Sequence, residues 1–169
     1  MQKIKNLAIR PFIKSIVWVF FSASILLSPI DLLSQQAVAF DAHLSSLLEN
    51  ERTHLTELAF NEQTTAFVNS SSTNIVGIGS ATTIDVNAAD FSFIDFSSVA
   101  LSQVEFIRIR VNNSEELSQT INCTSAASLG QLKCVLVECS LDVTSSQLIN
   151  MVQGLQENVT ACYSISVPK

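Results

Sequence analysis

Histidines and nearby acids are the first residues of this chain to consider for chemistry. The two histidines, His43 and His54, lie in a segment with helical spacing, and Glu51 and Glu57 fall within one turn of His54. A metal site can be drawn from these side chains, but the H-E-x-x-H spacing of zinc hydrolases is absent. We therefore interpret both histidines as solvated residues of a helix.

No other pattern in the chain predicts catalysis. A G-x-S-x-G motif is missing, and Gly77 and Gly79 are not followed by the third glycine of a dinucleotide-binding loop. Asp85, Asp90 and Asp95 recur at a five-residue spacing that fits neither a helix face nor a calcium loop. The sequence thus predicts a protein that is not an enzyme and that binds no metal and no cofactor.

All four cysteines lie in the last 47 residues, at Cys123, Cys134, Cys139 and Cys162. Their spacing contains no C-x-x-C, which argues against a zinc knuckle and a thioredoxin-like redox pair. An even number of cysteines in an exported chain favours structural disulfides. Free buried thiols are the alternative.

The N-terminal segment has the features of an export signal. Four basic residues precede residue 15, the stretch Ser15–Ile30 is uncharged and mostly apolar, and Ala37-Val38-Ala39 is a small-x-small cleavage site. We predict a signal peptide over residues 1–39 and a secreted or periplasmic protein. An uncleaved anchor is the alternative, although the apolar run is shorter than the roughly 20 residues that span a bilayer.

The remaining chain is strongly acidic. Residues 40–169 contain five basic and 14 acidic side chains, which gives a net charge of −9. Such a surface repels nucleic-acid phosphates and anionic membranes. We therefore expect a protein or an extracellular ligand as the partner, and no stable membrane span after signal cleavage.

The second half of the chain contains a repeat of 28 residues. Residues 101–111 align with residues 129–139, and a further step of 28 places Cys162 under Cys134. Each unit contains a short strand rich in β-branched residues. Capping signals predict crossover helices between the strands, one from Asn113 to Ile121 and one from Thr144 to Leu155. This alternation predicts an α/β fold with sequential parallel strands and the crossover helices on one face.

The repeat resembles the leucine-rich repeat, whose units are roughly 20–29 residues long. Val104, Ile107, Ile109 and Asn112 match the family pattern L-x-x-L-x-L-x-x-N, whereas Ser140 stands at the asparagine position of the next unit. The resemblance covers residues 101–167 and implies a βα array of sequential parallel strands with helices packed on one side. A compact three-layer α/β domain is the alternative.

A different pattern precedes the repeat. The segment from Asp41 to Phe60 has leucines at helical spacing and predicts an amphipathic helix, which would cap the array. Residues 61–74 are polar and predict a loop or linker. The expected organisation is a signal peptide (1–39), a helix with a linker (40–74) and a repeat-like domain (75–169).

Alternation along the strands separates an apolar face from a mixed one, which we expect to be exposed to solvent. Arg110 and Glu138 are in register on the mixed face and predict a cross-strand ion pair. The predicted recognition patch on this face comprises Phe106, Arg108, Arg110, Leu136 and Glu138. The same sorting favours Cys134–Cys162 and Cys123–Cys139 among the three possible disulfide pairings.

These features together predict an exported, non-catalytic domain that binds a protein or a ligand through the exposed sheet face. A small exported enzyme with an unrecognised site and a structural cell-envelope protein are the alternatives. Turnover that depends on Asp85, Asp90, His43 or His54 would favour the enzyme.

Overall fold

A computed structural model of the chain describes residues 37–166, so most of the predicted signal segment lies outside the described residues. The strands are β1 (Val38–Ala39), β2 (Thr65–Val68), β3 (Thr73–Val76), β4 (Thr83–Asn87), β5 (Phe106–Val111), β6 (Ile121–Asn122), β7 (Cys134–Cys139), β8 (Val152–Gln153) and β9 (Thr160–Ile165). The helices are α1 (Phe40–Ser46), α2 (Glu49–Phe60) and α3 (Ser145–Leu148). Short 3-10 helices cover Ala88–Phe93, Val99–Leu101, Glu116–Ser118 and Thr124–Ser128.

Seven strands form one sheet in the order β1-β9-β7-β5-β4-β2-β3, and β6 pairs with β8 in a second, two-stranded sheet. Every pair in the large sheet is parallel except the β2–β3 hairpin. The chain is therefore a mixed α/β protein with a mostly parallel sheet, which confirms the coarse prediction. Strands β4, β5, β7 and β9 lie side by side in chain order.

The sheet is covered on both faces over its central strands, as parallel sheets usually are. On one face, residues such as Ile107, Ile109, Val135 and Val137 are fully buried beneath the crossover segments. On the other face, a second cluster lies beneath α1 and α2. This helix-side core consists of Phe40, Leu55, Leu58, Ala59, Phe106, Cys134, Leu136 and Cys162.

The crossover segments differ from the predicted helices. Asn113 does cap a turn, because its Oδ1 accepts hydrogen bonds from the backbone N–H groups of Glu115 and Glu116, but the turn ends at Ser118 and Ile121 begins β6. Gln147 accepts a hydrogen bond from the Thr144 N–H at 2.9 Å, yet α3 ends at Leu148. The capping hydrogen bonds are present, but the helices stay short because residues predicted to continue them form strands β6 and β8 instead.

The N-terminal half also departs from the predicted organisation. Residues 61–74, expected to be a linker, include β2 and the start of β3, and Asn69 Oδ1 accepts hydrogen bonds from the N–H groups of Ser71 and Ser72 in the turn between them. The expected boundary at residue 75 therefore falls inside a strand. The segment 40–60 forms two helices, and the Arg52 side chain donates to the Leu44 and Leu47 carbonyls where α1 ends.

The strand register corrects the third repeat unit. Phe106 lies opposite Cys134, which is the expected offset of 28, but Cys134 lies opposite Thr160, and Cys162 lies opposite Leu136. Cys134 and Cys162 thus share a face but sit two residues apart along their strands. Strand spacing and rise place their Cα atoms about 8 Å apart, beyond the usual limit of about 6.8 Å for a disulfide. All four cysteines are buried free thiols in the structure.

Candidate functional site

The predicted recognition patch is divided by the helices. Phe106 is completely buried and Leu136 is 3% exposed, because α1 and α2 lie on this part of the sheet. Phe40 packs edge-on against Phe106, with ring centroids 6.3 Å apart. The prediction that these two residues are exposed is therefore wrong, and only Arg108, Arg110 and Glu138 of the patch remain available at the surface.

The strand register brings charged side chains together near the carboxyl ends of β4, β5 and β7. Asp85 lies opposite Arg108, and Arg110 lies opposite Glu138. Since alternate residues of a strand share a face, all four side chains lie on the helix-side face. We call these four residues, Asp85, Arg108, Arg110 and Glu138, the ion network.

The contacts within the ion network differ from the predicted pair. Arg110 Nη2 lies 2.6 Å from Asp85 Oδ2, and Arg108 Nη1 lies 3.4 Å from the same oxygen. Glu138 Oε2 contacts Arg108 Nε at 3.8 Å. Arg110 and Glu138 are in register as expected, but Arg110 pairs with Asp85 and Glu138 pairs with Arg108.

The ion network has a structural half and a surface half. The side chains of Asp85 and Arg108 are 7% and 21% exposed, and Arg108 also donates a hydrogen bond to the carbonyl of Ala59 in α2. Those of Arg110 and Glu138 are 45% and 40% exposed. Asp85 and Arg108, the structural half, therefore hold α2 against the sheet. Arg110 and Glu138, the surface half, are accessible to a ligand. Asp85 was missed as a partner of Arg108 because no sequence signal gives the register between β4 and β5.

A second group of polar side chains surrounds the other end of the same face. A cavity of about 280 Å³, the histidine pocket, is lined by His43, Leu47, Glu51, His54, Leu55, Lys133, Cys134, Asn158 and Thr160. His54 Nε2 lies 2.9 Å from Glu105 Oε2, and Lys133 Nζ donates to the same oxygen. The prediction that the histidines are merely solvated is thus incomplete, since His54 links α2 to the residue before β5.

The protonation states in and around the histidine pocket follow from these contacts. Burial opposes ionisation of Glu105, but hydrogen bonds and positive charge from Lys133 and His54 hold the pKa of its carboxyl below the ordinary value. Burial lowers the pKa of His43. A hydrogen bond with the Cys162 thiol, together with burial, raises the pKa of Cys134 well above the ordinary value. A thiol held in the neutral form is a poor nucleophile, so this pocket lacks an activated cysteine.

A larger cavity lies on the opposite side of the sheet. It measures about 580 Å³ and is lined by two neighbouring crossovers, with Phe91, Ser92, Ile94, Asp95, Phe96 and Ser97 from one and Asn122, Ser125 and Ser128 from the other. The Ser128 hydroxyl donates to the carbonyl of Phe96 at 2.9 Å and joins the two walls. Hydrogen bonds from the Ser97 hydroxyl and N–H lower the pKa of Asp95, which is fully exposed.

Other kinds of site are not found among residues 37–166. No three histidine, cysteine or acidic side chains in this range are grouped so that they could hold a metal ion. Within the same range, none of the helices has the length and apolar character that a membrane crossing requires. Comparison with known proteins gave no matching family, no matching curated protein and no matching solved structure.

Proposed function

We propose that this chain is an exported, non-catalytic binding module that contacts a protein or another extracellular ligand through the surface half of the ion network. Arg110 and Glu138 carry this proposal. They project from adjacent strands at one register position, on the part of the sheet face that α1 and α2 leave accessible. Arginine is enriched at protein interfaces, and a half-exposed pair can exchange internal contacts for contacts with a partner.

The charge of the domain indicates the chemistry of the partner. Residues 37–166 contain 14 acidic side chains and four basic ones. Each of the four basic side chains already contacts an oxygen atom of the same chain. The surface therefore presents mainly negative charge, which favours a partner with a basic surface and a rate of association that falls with added salt.

We further propose that the parallel strands are a short array of the leucine-rich-repeat kind. The chain order of β4, β5, β7 and β9 and the apolar residues facing the crossovers support this proposal. Asn112 departs from the family pattern, because its side chain is exposed and donates to Asn87 Oδ1 at 3.0 Å. Short 3-10 helices and two-residue strands take the place of longer crossover helices.

Export rests on the order of the basic, apolar and small-residue segments at the N-terminus. The structure bears on the cleavage position, since Ala37 is buried and β1 pairs with β9. A cut after Ala39 would remove Ala37 and strand β1 from the domain, together with the pairing of β1 with β9. We therefore expect a mature protein cut at this site to have an open edge at β9. The mass of the exported protein will give the cut site directly.

The proposed function is tested by site-specific photo-crosslinking in cells that export the full chain. A photoreactive residue replaces Glu138 in one variant and Glu157, an exposed acid away from the ion network, in the matched control. We expect the variant at position 138, but not that at position 157, to form a defined cross-linked product. Adding Arg110→Glu to the first variant should abolish the product.

Two results would contradict this proposal. Equal cross-linking at positions 138 and 157 would indicate non-specific contact with the acidic surface. No product at either position, in cells shown by mass spectrometry to export the chain, would mean that the sheet face has no partner.

A small exported enzyme is the second candidate, and the histidine pocket is the observation that favours it. His54 lines this pocket and is paired with the carboxylate of Glu105, which is an arrangement that enzymes use to orient a general base. Turnover of any substrate by the exported protein, lost in His54→Gln and retained in a variant at exposed Glu157, would support this candidate. The absence of an activated nucleophile next to His54 makes the binding module the better-supported function.

A further inference from the structure

Strand β3 forms one edge of the seven-stranded sheet and pairs only with β2 among the described strands. The Asn69 N–H donates to the Ser72 carbonyl in the turn. Since hydrogen-bonded and non-hydrogen-bonded pairs alternate in an antiparallel ladder, the backbone groups of Thr73 and Ile75 point away from β2. This edge therefore offers donors and acceptors to a further strand.

The same edge exposes several large apolar side chains. Ile78 is 98% exposed, Val76 52%, Phe67 41% and Ile75 36%. Ile78 lies between Gly77 and Gly79, whose φ angles are +125° and +93°, and its carbonyl accepts a hydrogen bond from Thr64 Oγ1 at 2.9 Å. The turn thus holds an isoleucine in solvent beside the edge strand. Natural edge strands usually avoid this exposure.

The edge and its surroundings also lack charged side chains. Residues 63–84 contain no acidic and no basic side chain, although the described range as a whole has ten more acids than bases. The charged residues and prolines that commonly prevent pairing between edge strands are missing here. Protein–protein interfaces are likewise depleted of charged residues at their centre.

We propose that two copies of this chain associate through β3, which pairs antiparallel with β3 of the second copy. A two-fold axis between the strands brings identical surfaces together, so each copy contributes the same apolar residues. The two sheets become one continuous sheet, and the outward backbone groups of Thr73 and Ile75 gain partners.

The distribution of charge favours a second copy over another occupant. Two copies of so acidic a protein repel each other over most of their surfaces, and the uncharged segment is where their approach carries the least repulsion. A basic partner, in contrast, is attracted to the acidic surface and gains nothing from an uncharged edge. This contact is separate from the ion network, which lies on β4, β5 and β7.

The test measures the mass of the full exported chain in solution by light scattering over a wide range of concentration. The variants are Val76→Lys and Ile78→Lys, which place a charged side chain at the uncharged edge. Val99→Lys is the matched control, because Val99 is 85% exposed and lies in a crossover. We expect a dimer for the unaltered chain and for the control. The two edge variants should raise the dimer dissociation constant by about tenfold or more, because charged side chains on an edge strand oppose its pairing with another strand.

Hydrogen exchange provides a second, independent readout. The amides of Thr73 and Ile75 should exchange more slowly as the concentration of the unaltered chain rises. This effect should disappear in Ile78→Lys. The isoleucine is 98% exposed, so its replacement should leave the fold of the monomer unchanged. A monomer at every concentration would overturn the proposal. A dimer that persists in both edge variants, or that is lost in Val99→Lys, would place the contact elsewhere.

Discussion

Arg110 donates a hydrogen bond to the carboxylate of Asp85 across neighbouring parallel strands, over 2.6 Å. The acceptor is 7% exposed and the donor is 45% exposed, so the two residues contribute unequally to the fold. Asp85 also compensates Arg108, which holds the end of α2 through the carbonyl of Ala59. A single carboxylate therefore links three elements of the protein.

Asp85→Ala should destabilise the protein much more than Arg110→Ala. Loss of the carboxylate leaves Arg108 without its most buried charged partner, and hydrogen bonds to charged groups contribute about 1.5–3 kcal/mol. Loss of the half-exposed Arg110 should cost less than about 1 kcal/mol. Urea unfolding of both variants measures the difference. Equal losses would mean that Arg108 does not depend on Asp85.

Thr83→Val should increase the free energy of unfolding by about 1 kcal/mol. Thr83 is 3% exposed, and its Oγ1 is buried without a hydrogen-bond partner. Replacing the hydroxyl by a methyl group of similar size removes the cost of an unsatisfied polar atom. Thr82→Val, at the partly buried neighbour whose hydroxyl contacts the Thr64 carbonyl, is the control and should not stabilise. A destabilised Thr83→Val would point to a bound water at this position.

Gly154→Ala should cost at least about 2 kcal/mol, whereas Gly130→Ala should change stability little. Gly154 has a φ of +75°, and an added Cβ would lie 2.5 Å from Thr124 Oγ1. A Cβ on Gly130 would meet no atom within 4 Å, and no positive φ constrains that residue. Thermal unfolding compares the two variants. Similar melting temperatures would mean that the backbone after β8 shifts at little cost to accommodate the added methyl group.

The thiols should be free and protected in the folded protein. Cys134 and Cys162 are offset along their strands, and all four cysteines are buried. We expect no alkylation of the native chain and four alkylated cysteines after denaturation without reductant, measured by intact mass. A mass four hydrogens lower than that of the reduced chain would instead establish the two disulfides that the sequence favours.

Stability should fall as the pH rises above 9. Burial raises the pKa of Cys123 from 9.0 to about 12, so the unfolded chain loses this proton at a lower pH than the folded chain. The contribution is fully present below pH 9 and is lost between pH 9 and about 12. The expected slope is about 1.4 kcal/mol per pH unit for one thiol. Urea unfolding across this range should show a shallower slope for Cys123→Ala, and an unchanged slope would contradict the assignment.

The sequence predicts the strands better than it predicts their surroundings. Alternation around Ile107 and Val135 identifies β5 and β7 and the face that packs beneath the crossovers. Burial of Phe106 could not be predicted, because the helices that cover it come from a segment more than forty residues away in the chain and the local pattern carries no information about their docking. The partners of His54 and Asp85 depend on the same tertiary contacts.

The third repeat unit shows a second limit of the sequence. An alignment at a constant 28 residues places Cys162 beside Cys134, but the crossover from β7 to β9 is two residues shorter than that from β5 to β7. A shift of two residues preserves the face of every side chain, so periodicity alone cannot detect it. It nevertheless changes which sulfur atoms can bond.

Strand β1 pairs with β9, so the first described strand of the domain depends on the last one for its hydrogen bonds. During synthesis, residues 38 and 39 therefore have no partner until almost the whole chain is available. Closing so long a loop is entropically costly and slow compared with forming local contacts. In the uncut chain, residues 38 and 39 are thus among the last to reach their native pairing, and the order in which the strands form need not follow the order in which they are made.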